Sequence, residues 1–428
     1  MGTCEVRYFN VTAEISRKRN CETMNKVLII GAGAAGMMAA IIVNRNGGQA
    51  VLLDHNDQVG KKILSTGNGR CNFTNIHQEP IFYRSENITF PWEIVSRFTA
   101  HDAIKFFREL GIYSKNRNGY MYPYSDQASA ILEALRYELE RLDVEIYLDS
   151  NICEVQKKEK GFVIKTDQGE YCGDKLIIAT GGQAAPFSGS DGSGYEYARQ
   201  LGHRIVDVVP ALVQLRCAES FYKHLAGVRV QGKVSLYVDD ILEDEDKGEI
   251  QLTSYGISGI PVFQVSRYAA RGIKDHKKVY ALLDFMPDFS LAEFRNFIDD
   301  RIKTIPDRPM ESFFAGLFNK KLTDIFISEC QIERKKGAAL LTDRELERII
   351  QMIKGFRTKI ISTNSFEQAQ VTAGGVSTEE VDRETLVSKL MPDLYFAGEV
   401  LDVDGICGGY NLQWAWASGY IAGKGAAE

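Results

Sequence analysis

The chain has 428 residues, a formal net charge of −6 and a sequence pI near 5.7, so it has room for two or three domains with large cores. The acidic balance argues against nucleic-acid binding, and no basic cluster is longer than three residues, as at Arg334-Lys335-Lys336. The eight cysteines form no C-x-x-C pair and the six histidines are isolated, so we predict a reducing, cytoplasmic location, no disulfide framework and no metal site.

Residues 1–24 differ from the rest of the chain because they are polar, include Arg17-Lys18-Arg19 and precede a strongly apolar run. A basic segment followed by an apolar one imitates a signal peptide. The apolar run is already needed for the nucleotide-binding pattern that begins there, so we predict a disordered extension or an upstream start.

The segment that organises the chain is a strand–turn–helix pattern with three glycines. A buried strand is predicted at Val27–Ile30, and Gly31, Gly33 and Gly36 then form G-x-G-x-x-G before a helix. The first glycine allows the tight turn, the second lets backbone approach a pyrophosphate, and the third lets the helix pack on the strand. A second apolar strand ends at Asp54, which suits a ribose 2′-hydroxyl. The pattern predicts dinucleotide binding at a helix N-terminus.

The uncharged run Val27–Val43 has an alternative interpretation as a membrane span. Its length is at the lower limit of the roughly 17–25 residues that a span needs. Glycines and alanine pairs occupy its middle, and the helix leads directly into another strand. We therefore predict no membrane span.

The next segment, Gln58–Asn75, reads QVGKKILSTGNGRCNFTN and is rich in glycine, asparagine and cations. One interpretation is a flexible surface loop, and the other is a loop laid along a cofactor. The run resembles the G-[KR]-K-x-L-x-[ST]-G-x-G-R-C-N-x-T-N signature of the BaiN-like flavoproteins (bile-acid-inducible N), a family of FAD-dependent oxidoreductases. The resemblance implies FAD as cofactor.

Helices and strands are predicted to continue this domain. Helices are expected at 99–110 and 127–142, and strands at 144–148, 152–156, 161–166 and 176–182. Between the helices, Tyr120, Tyr122 and Tyr124 either line a substrate mouth or pack as ordinary side chains. The A-T-G-G turn at Ala179–Gly182 resembles the point where chains of this FAD fold re-enter the nucleotide domain.

From about Val206 the pattern changes to strands with period-two alternation, which predicts an antiparallel, barrel-like insert without strand–helix–strand alternation. The acidic run Glu243–Asp246 is predicted to be a solvated hairpin turn. Tyr255–Pro261 resembles the family's T-H-x-G-I-S-G-P loop, but Ser254 stands where the family has histidine, so that histidine's role does not carry over. A helical lobe with capping boxes at Ser290 and Thr342 is expected to follow, with apolar residues such as Phe294, Phe297 and Ile298 in its core.

The last 60 residues again resemble the family. Gly398-Glu399 is similar to the G-[DE] pair that closes FAD domains, where the acid accepts hydrogen bonds from ribityl hydroxyls. Gly408-Gly409 precedes a helix that starts near Tyr410, and the resemblance implies that its N-terminus stabilises negative charge on the flavin. Trp414 and Trp416 are interpreted as packing residues.

The predicted architecture is α/β. A Rossmann-like FAD-binding domain (25–206 plus 367–428) is interrupted by an antiparallel β-barrel-like insert (207–289 plus 357–366) and a small helical lobe (290–356). The resemblance implies that the cofactor is contacted by Gly31, Gly33, Ala34, Ala35, Gly36, Asp54, Lys61, Lys62, Thr66, Gly67, Gly69, Arg70, Cys71, Asn72, Ile152, Thr180, Gly181, Gly398, Glu399, Gly409, Tyr410, Asn411 and Leu412.

The resemblance also implies an enzyme that reduces activated C=C bonds of 3-oxo-4,6-dienoyl bile acids. NADH or NADPH would act as a transient donor, because one nucleotide-binding motif is visible. The alternatives are an amine oxidase that passes electrons to oxygen, and a non-catalytic redox sensor or relay. No catalytic group is identified, and the weak candidates for the proton donor are Tyr255, Tyr410, Asp402 and Asp404. Cys71 and Cys407 are either a redox pair or two packed thiols.

Overall fold

The computed structural model describes residues 25–428, so the extension predicted for residues 1–24 lies outside the described residues. The described residues divide into two compact units, one made of residues 25–208 together with Val371–Glu428, and the other of Val209–Gln370. Each unit has its own apolar core. Each therefore has the kind of core that a separately folded domain needs.

The first unit begins with strands and helices whose apolar residues are buried. In chain order the elements are β1 (Lys26–Ile30), α1 (Ala34–Arg45), β2 (Gln49–Leu53), β3 (Thr74–Asn75), β4 (Tyr83–Arg84), α2 (Phe90–Val95), α3 (Ala100–Glu109), β5 (Ser114–Arg117), β6 (Tyr120–Pro123), α4 (Ala128–Arg141), β7 (Glu145–Tyr147), β8 (Ile152–Lys157), β9 (Phe162–Thr166), β10 (Gly169–Gly173), β11 (Lys175–Ile178), α5 (Ser193–Gln200) and β12 (Ile205–Ala211). The predicted helices at 99–110 and 127–142 are confirmed as α3 and α4. Residues 35–43 of α1 are all buried, which explains the apolar run there.

The second unit contains a closed antiparallel barrel. Its elements are β13 (Leu215–Cys217), α6 (Tyr222–Leu225), β14 (Val228–Val238), β15 (Ile241–Thr253), β16 (Gly256–Ser258), α7 (Ile260–Lys274), β17 (Val279–Asp284), α8 (Leu291–Thr304), α9 (Met310–Phe313), α10 (Lys320–Glu329), α11 (Asp343–Lys354) and β18 (Phe356–Thr363). The strand order is β13-β16-β15-β14-β17-β18, and the pairing of β13 with β18 closes the barrel. The barrel-like insert predicted from the sequence is confirmed.

Two interpretations of this insert are wrong. The acidic run Glu243–Asp246 is not a turn but lies inside β15, where Asp244 pairs with Leu236 of β14. The turn is at Asp239-Asp240, whose positive φ angles of 48° and 64° aspartate tolerates better than most residues. Secondly, α7 does create a strand–helix–strand pattern. Its proline, Pro261, lies in the first turn, where a missing N–H costs no helical hydrogen bond.

The helices α8–α11 follow in residues 291–354. Both predicted capping boxes are present, because Ser290 and Thr342 each accept a hydrogen bond from the backbone three residues on, and the acidic residues there bond back. Phe294 and Ile298 are at most 1% exposed, so their predicted place in the core is confirmed.

The second of these capping boxes provides a stability test. Hydrogen bonds from Lys336 and Thr342 lower the pKa of Glu345 from 4.5 to about 2. We expect Glu345→Gln to lower the free energy of unfolding at pH 7 by roughly 0.5–2 kcal/mol, as is typical of a lost cap, and the urea midpoint with it. Because the folded-state pKa is the lower one, this stabilisation is complete above pH 4.5 and is lost as the pH falls towards 2.

Urea unfolding of wild type and Glu345→Gln at pH 7 and pH 3 measures the effect. Glu347→Gln, a substitution of a half-exposed acid on the same helix, is the control. A difference between wild type and Glu345→Gln that is equal at both pH values would contradict the assignment.

The chain returns to the first unit with the elements β19 (Val371–Val376), β20 (Leu394–Phe396), β21 (Asp404–Gly405) and α12 (Tyr410–Ala427). The main sheet is parallel, with the order β20-β11-β1-β2-β7. On one face, α12 packs directly on α1: a Cβ at Gly419 would lie 2.5 Å from the Ala35 oxygen, and one at Gly423 would lie 2.7 Å from the Ala39 oxygen. Side chains at these glycines would push the two helices apart.

Smaller sheets extend the first unit. They are β8-β9-β10, β3-β6-β5, β4-β21 and β12-β19. Within residues 25–428, no helix is both long enough and apolar enough to cross a bilayer.

Candidate functional site

The three glycines of the fingerprint meet different surroundings. Gly31 has a φ of +102°, and a Cβ there would lie 2.4 Å from the Ala179 oxygen. At Gly36 a Cβ would lie 1.8 Å from the Gly31 oxygen, so α1 packs directly on the turn. Gly33, the N-cap of α1, is different, because a Cβ there meets nothing within 4 Å. The turn therefore leaves open space at a helix N-terminus, the place where such motifs bind phosphate.

A pocket opens at the carboxyl ends of β1, β2 and β11. It is lined by Ile30, Gly31, Leu53, Asp54, His55, Ser150, Ile152, Thr180, Gly189, Ser193 and Tyr197. Asp54 Oδ2 accepts a hydrogen bond from the Ala32 N–H at 2.6 Å, and Oδ1 accepts two from Asn56 at 2.8 Å. The carboxylate thus ties the glycine turn to β2 at the edge of this pocket.

The glycine-rich loop after β2 has an unusual backbone. Gly67, Asn68, Gly69 and Cys71 have positive φ angles of 56°, 54°, 80° and 56°. Runs that include left-handed residues turn their N–H groups towards one side and make anion-binding concavities. Asn68 and Cys71 hold this conformation although they have side chains, and such strain occurs mainly at functional sites. The loop therefore has the backbone of a ligand-binding segment.

Cys71 does not behave as a reactive thiol. It is fully buried, and burial raises the pKa of the thiol to about 12, against a smaller opposite effect of a hydrogen bond with Thr66. A thiol with this pKa is not ionised at neutral pH and is inert. No disulfide bond joins Cys71 to Cys407. These facts favour the interpretation as packed thiols over that as a redox pair.

The two lysines predicted to contact the cofactor, Lys61 and Lys62, have different partners in the structure. Lys62 Nζ donates to Glu399 Oε2 at 2.8 Å, and Glu399 Oε1 accepts from the Thr372 N–H at 2.7 Å. These side chains are only 25% and 18% exposed. Lys61 instead pairs with Asp57 at 3.2 Å on the surface. Lys62 therefore joins the N-terminal loop to the C-terminal acid, and Lys61 does not.

The start of α12 meets the same loop. Its N-cap, Gly409, has a φ of +95°, and a Cβ there would lie 3.0 Å from Asn72 Oδ1. Asn72 is 8% exposed, and its Oδ1 accepts no hydrogen bond from residues 25–428. Buried polar atoms are normally satisfied. This oxygen is suited to an N–H donor of a bound ring.

The two tryptophans of α12 are packed, as predicted, and also bonded. Trp414 donates to the Gly398 oxygen at 2.9 Å, and Trp416 donates to the Phe73 oxygen at 2.8 Å. Both side chains are at most 1% exposed. They therefore hold the segments at Gly398 and Phe73 against the helix.

Several other predicted contact residues use their side chains within their own loops. The Asn411 amide bonds both backbone groups of Gly405, at 2.8 and 2.9 Å. Thr66 donates to Ile63 at 2.6 Å. The Thr66 carbonyl also accepts the Cys71 N–H, at 3.0 Å. The N–H of Asn411, in the first turn of α12, remains for a ligand.

The four weak catalytic candidates have different environments. Tyr255 belongs to the second unit, where its hydroxyl accepts a bond from Asn364 Nδ2 at 3.1 Å. Asp402 is fully buried and accepts from the Glu86 N–H at 2.8 Å, and Asp404 is buried in β21. Tyr410, the first residue of α12, is 4% exposed.

Some site residues were missed by sequence reasoning. A Cβ at Gly182 would lie 2.5 Å from Thr372 Oγ1 and 2.9 Å from Glu399 Oε1, so this glycine lets the A-T-G-G turn pack against the acid. Ser193 and Tyr197 line the pocket. They lie at or just after the polar, glycine-rich run 188–195, and that composition was the available signal.

These features fit FAD. Gly33 leaves space that a pyrophosphate could fill, and Asp54 lines the pocket from the motif position that suits a ribose hydroxyl. The unsatisfied Asn72 Oδ1 could accept the N–H of a flavin ring. Within the described part of the chain, no group of three His, Cys, Asp or Glu residues could hold a metal ion.

Comparison with known proteins shows the family of the chain. Residues 25–425 match the family described as HI0933-like protein Rossmann domain. The chain is 43% identical over 407 residues to the 3-dehydro-bile acid delta(4,6)-reductase of Clostridium scindens, a match that covers 95% of this chain and 100% of that protein. It is 32% identical over 401 residues to the ribosomal RNA dihydrouridine synthase of Escherichia coli, covering 93% and 96% of the two chains.

Among solved structures, the fold is similar to that of a flavocytochrome c3 fumarate reductase in an open conformation. The TM-score is 0.50 at 15% identity, and the match covers 94% of this chain and 78% of that chain. This likeness supports the α/β fold with its Rossmann-like nucleotide domain. The resemblance to the BaiN-like flavoproteins is confirmed, and the chain belongs to the HI0933-like family.

Proposed function

We propose that this chain is an FAD-dependent reductase that adds a hydride and a proton across a carbon–carbon double bond conjugated to a carbonyl group. The proposed acceptor is a 3-oxo-4,6-dienoyl bile acid. The observation that supports this most is the 43% identity that extends over the whole length of 3-dehydro-bile acid delta(4,6)-reductase.

Each part of the site has a role in this proposal. Bound FAD supplies the hydride. The space at Gly33 admits its pyrophosphate, and Asp54 meets a ribose hydroxyl. Lys62 compensates the charge of Glu399, so that an acid can lie close to the phosphates. The N–H groups at the start of α12 favour negative charge next to them.

The proposed reductant is NADH or NADPH. One G-x-G-x-x-G after a strand occurs in the sequence, so the nicotinamide nucleotide would dock transiently and leave before the acceptor arrives. The amine-oxidase and relay interpretations are not favoured, because the two relatives are named as a reductase and a dihydrouridine synthase.

The second candidate acceptor is a uridine in ribosomal RNA. The 32% identity to a ribosomal RNA dihydrouridine synthase covers nearly all of both chains. The uracil C5=C6 bond is conjugated to a carbonyl group, so its reduction is the same type of reaction as that of a dienone. The net charge of −6 argues against RNA, and the expectation of no nucleic-acid partner stays a prediction.

An anaerobic assay tests the two acceptors. The bound FAD is reduced with NADPH or NADH, a 3-oxo-4,6-dienoyl bile acid is added, and flavin reoxidation is followed together with loss of the dienone absorbance. We expect both changes to occur at the same rate. If the dienone leaves the flavin reduced and unmodified ribosomal RNA reoxidises it with formation of dihydrouridine, the second candidate replaces the first.

A further inference from the structure

One face of β6 covers two of the glycine segments of the site. Tyr120 and Tyr122 are two positions apart on this strand, so their side chains point to the same side. The Tyr120 ring would lie 2.8 Å from a Cβ on Gly408, and the Tyr122 ring 3.6 Å from one on Gly67. The two rings thus contact the turn before α12 and the left-handed loop, the segments that fit the flavin ring.

Tyr120 lies near Tyr410. A Cβ built on Gly408 would lie 2.8 Å from the Tyr120 ring and 3.2 Å from the Tyr410 ring. Both rings therefore lie next to the backbone of Gly408. Tyr120 is 38% exposed, whereas Tyr410 is 4% exposed and packs on Tyr83 with ring centroids 5.9 Å apart. Burial, then Tyr120 and then Glu79 raise the pKa of Tyr410 to about 12. The outer phenol is accessible to an acceptor, and the inner one keeps its proton.

Other acids of the first unit are less suited to give a proton to carbon. Asp402 is fully buried and its Oδ2 accepts hydrogen bonds from Glu86 and Ser85. The Cys71 thiol is fully buried, and that burial raises its pKa to about 12. A phenol is protonated at neutral pH, and an exposed one can be reprotonated by water.

We propose that Tyr120 is the proton donor of the reduction and that Tyr410 positions it. This inference rests on the proposed function. Bound, reduced FAD would supply a hydride to the far carbon of the conjugated system, and the π electrons of the substrate would move towards its carbonyl to give an enolate. The carbon next to the one that received the hydride then takes the Tyr120 O–H proton. The enolate electrons form this new C–H bond, and the carbonyl group is restored. The phenolate left behind takes a proton from water.

The test compares Tyr120→Phe with Tyr113→Phe, whose ring is 76% exposed and lies against Tyr124. Reduced enzyme is mixed with the dienone or with 2-cyclohexenone, and separately with ferricyanide, which accepts electrons without protonation of carbon. We expect Tyr120→Phe to slow reoxidation by the enones about 100-fold, the lower range for general acid catalysis, and to leave the ferricyanide rate unchanged. Tyr113→Phe should match wild type with every oxidant.

Flavin fluorescence gives a readout that does not depend on turnover. A phenol in contact with the flavin ring quenches its excited state by electron donation, so Tyr120→Phe should lengthen the fluorescence lifetime of the oxidised holoenzyme, and Tyr113→Phe should not. An unchanged lifetime, or equal enone rates in wild type and Tyr120→Phe, overturns the assignment of Tyr120 and leaves the reductase proposal intact. A wild type that no C=C acceptor reoxidises overturns the reductase proposal and the donor role with it.

Discussion

Replacing Gly33 by valine is expected to give a folded protein that holds no flavin. A Cβ at Gly33 meets nothing within 4 Å, so a larger side chain does not collide with the protein itself. It fills instead the space at the N-terminus of α1 that the pyrophosphate would occupy. The direct cost to the fold is that of a poorer N-cap, about 1 kcal/mol. FAD affinity should fall by at least 1000-fold, a loss of about 4 kcal/mol or more.

The measurements are the flavin absorbance of the purified protein and its melting temperature with and without added FAD. Wild type should melt higher with FAD, because a ligand that binds only the folded state stabilises it, and Gly33→Val should not respond. Gly337→Val is the matched control, since a Cβ there meets only contacts of 3.5 Å or more in the second unit. A Gly33→Val protein with full flavin content would falsify the placement of the pyrophosphate.

Lys62→Met is expected to weaken FAD binding by roughly 10- to 100-fold, whereas Lys61→Met should change it less than about 2-fold. Removing Lys62 leaves the Glu399 carboxylate, which is 18% exposed, without its cation. Losing one partner of a charged hydrogen bond costs roughly 1.5–3 kcal/mol. The uncompensated charge would also repel the phosphates. Lys61 has only a surface pair with Asp57, and such pairs contribute roughly 0–1 kcal/mol.

Titration of the apoprotein with FAD, followed by quenching of flavin or tryptophan fluorescence, gives both dissociation constants. Because the two lysines are neighbours in sequence and are changed to the same residue, the pair controls for loss of net charge. Equal losses in both variants would mean that general electrostatic attraction, and not the contact with Glu399, accounts for the effect.

The parts of the fold that could be predicted are those set by residues close together in sequence. Gly31, Gly33 and Gly36 define their turn within six positions, and the capping box of Thr342 and Glu345 within four. The glycines of the candidate site were predicted for the same reason. Local patterns of this kind keep their meaning whatever the rest of the chain does.

What could not be predicted depends on contacts between distant segments. The bond from Lys62 to Glu399 joins residues 337 positions apart, and no local pattern distinguishes Lys62 from Lys61. The acidic run Glu243–Asp246 has the composition of a turn, but it forms part of a strand because it pairs with β14. In that strand, the Glu245 carboxylate accepts a hydrogen bond from Ser235 and forms an ion pair with Lys233. Tertiary context overrides propensity in both cases.

The position of β20 and α12 after the whole second unit has a consequence for biosynthesis. The sheet edge beside β11 and the helix that packs on α1 leave the ribosome only after the barrel and its helices have been made. At roughly 5–20 residues per second, this delay lasts tens of seconds. During that time the nascent chain already contains the glycine turn of residues 31–36, but Glu399 and Gly409 have not yet been synthesised. We therefore expect FAD to be loaded late, after synthesis of the second unit, so that it does not guide the folding of that unit.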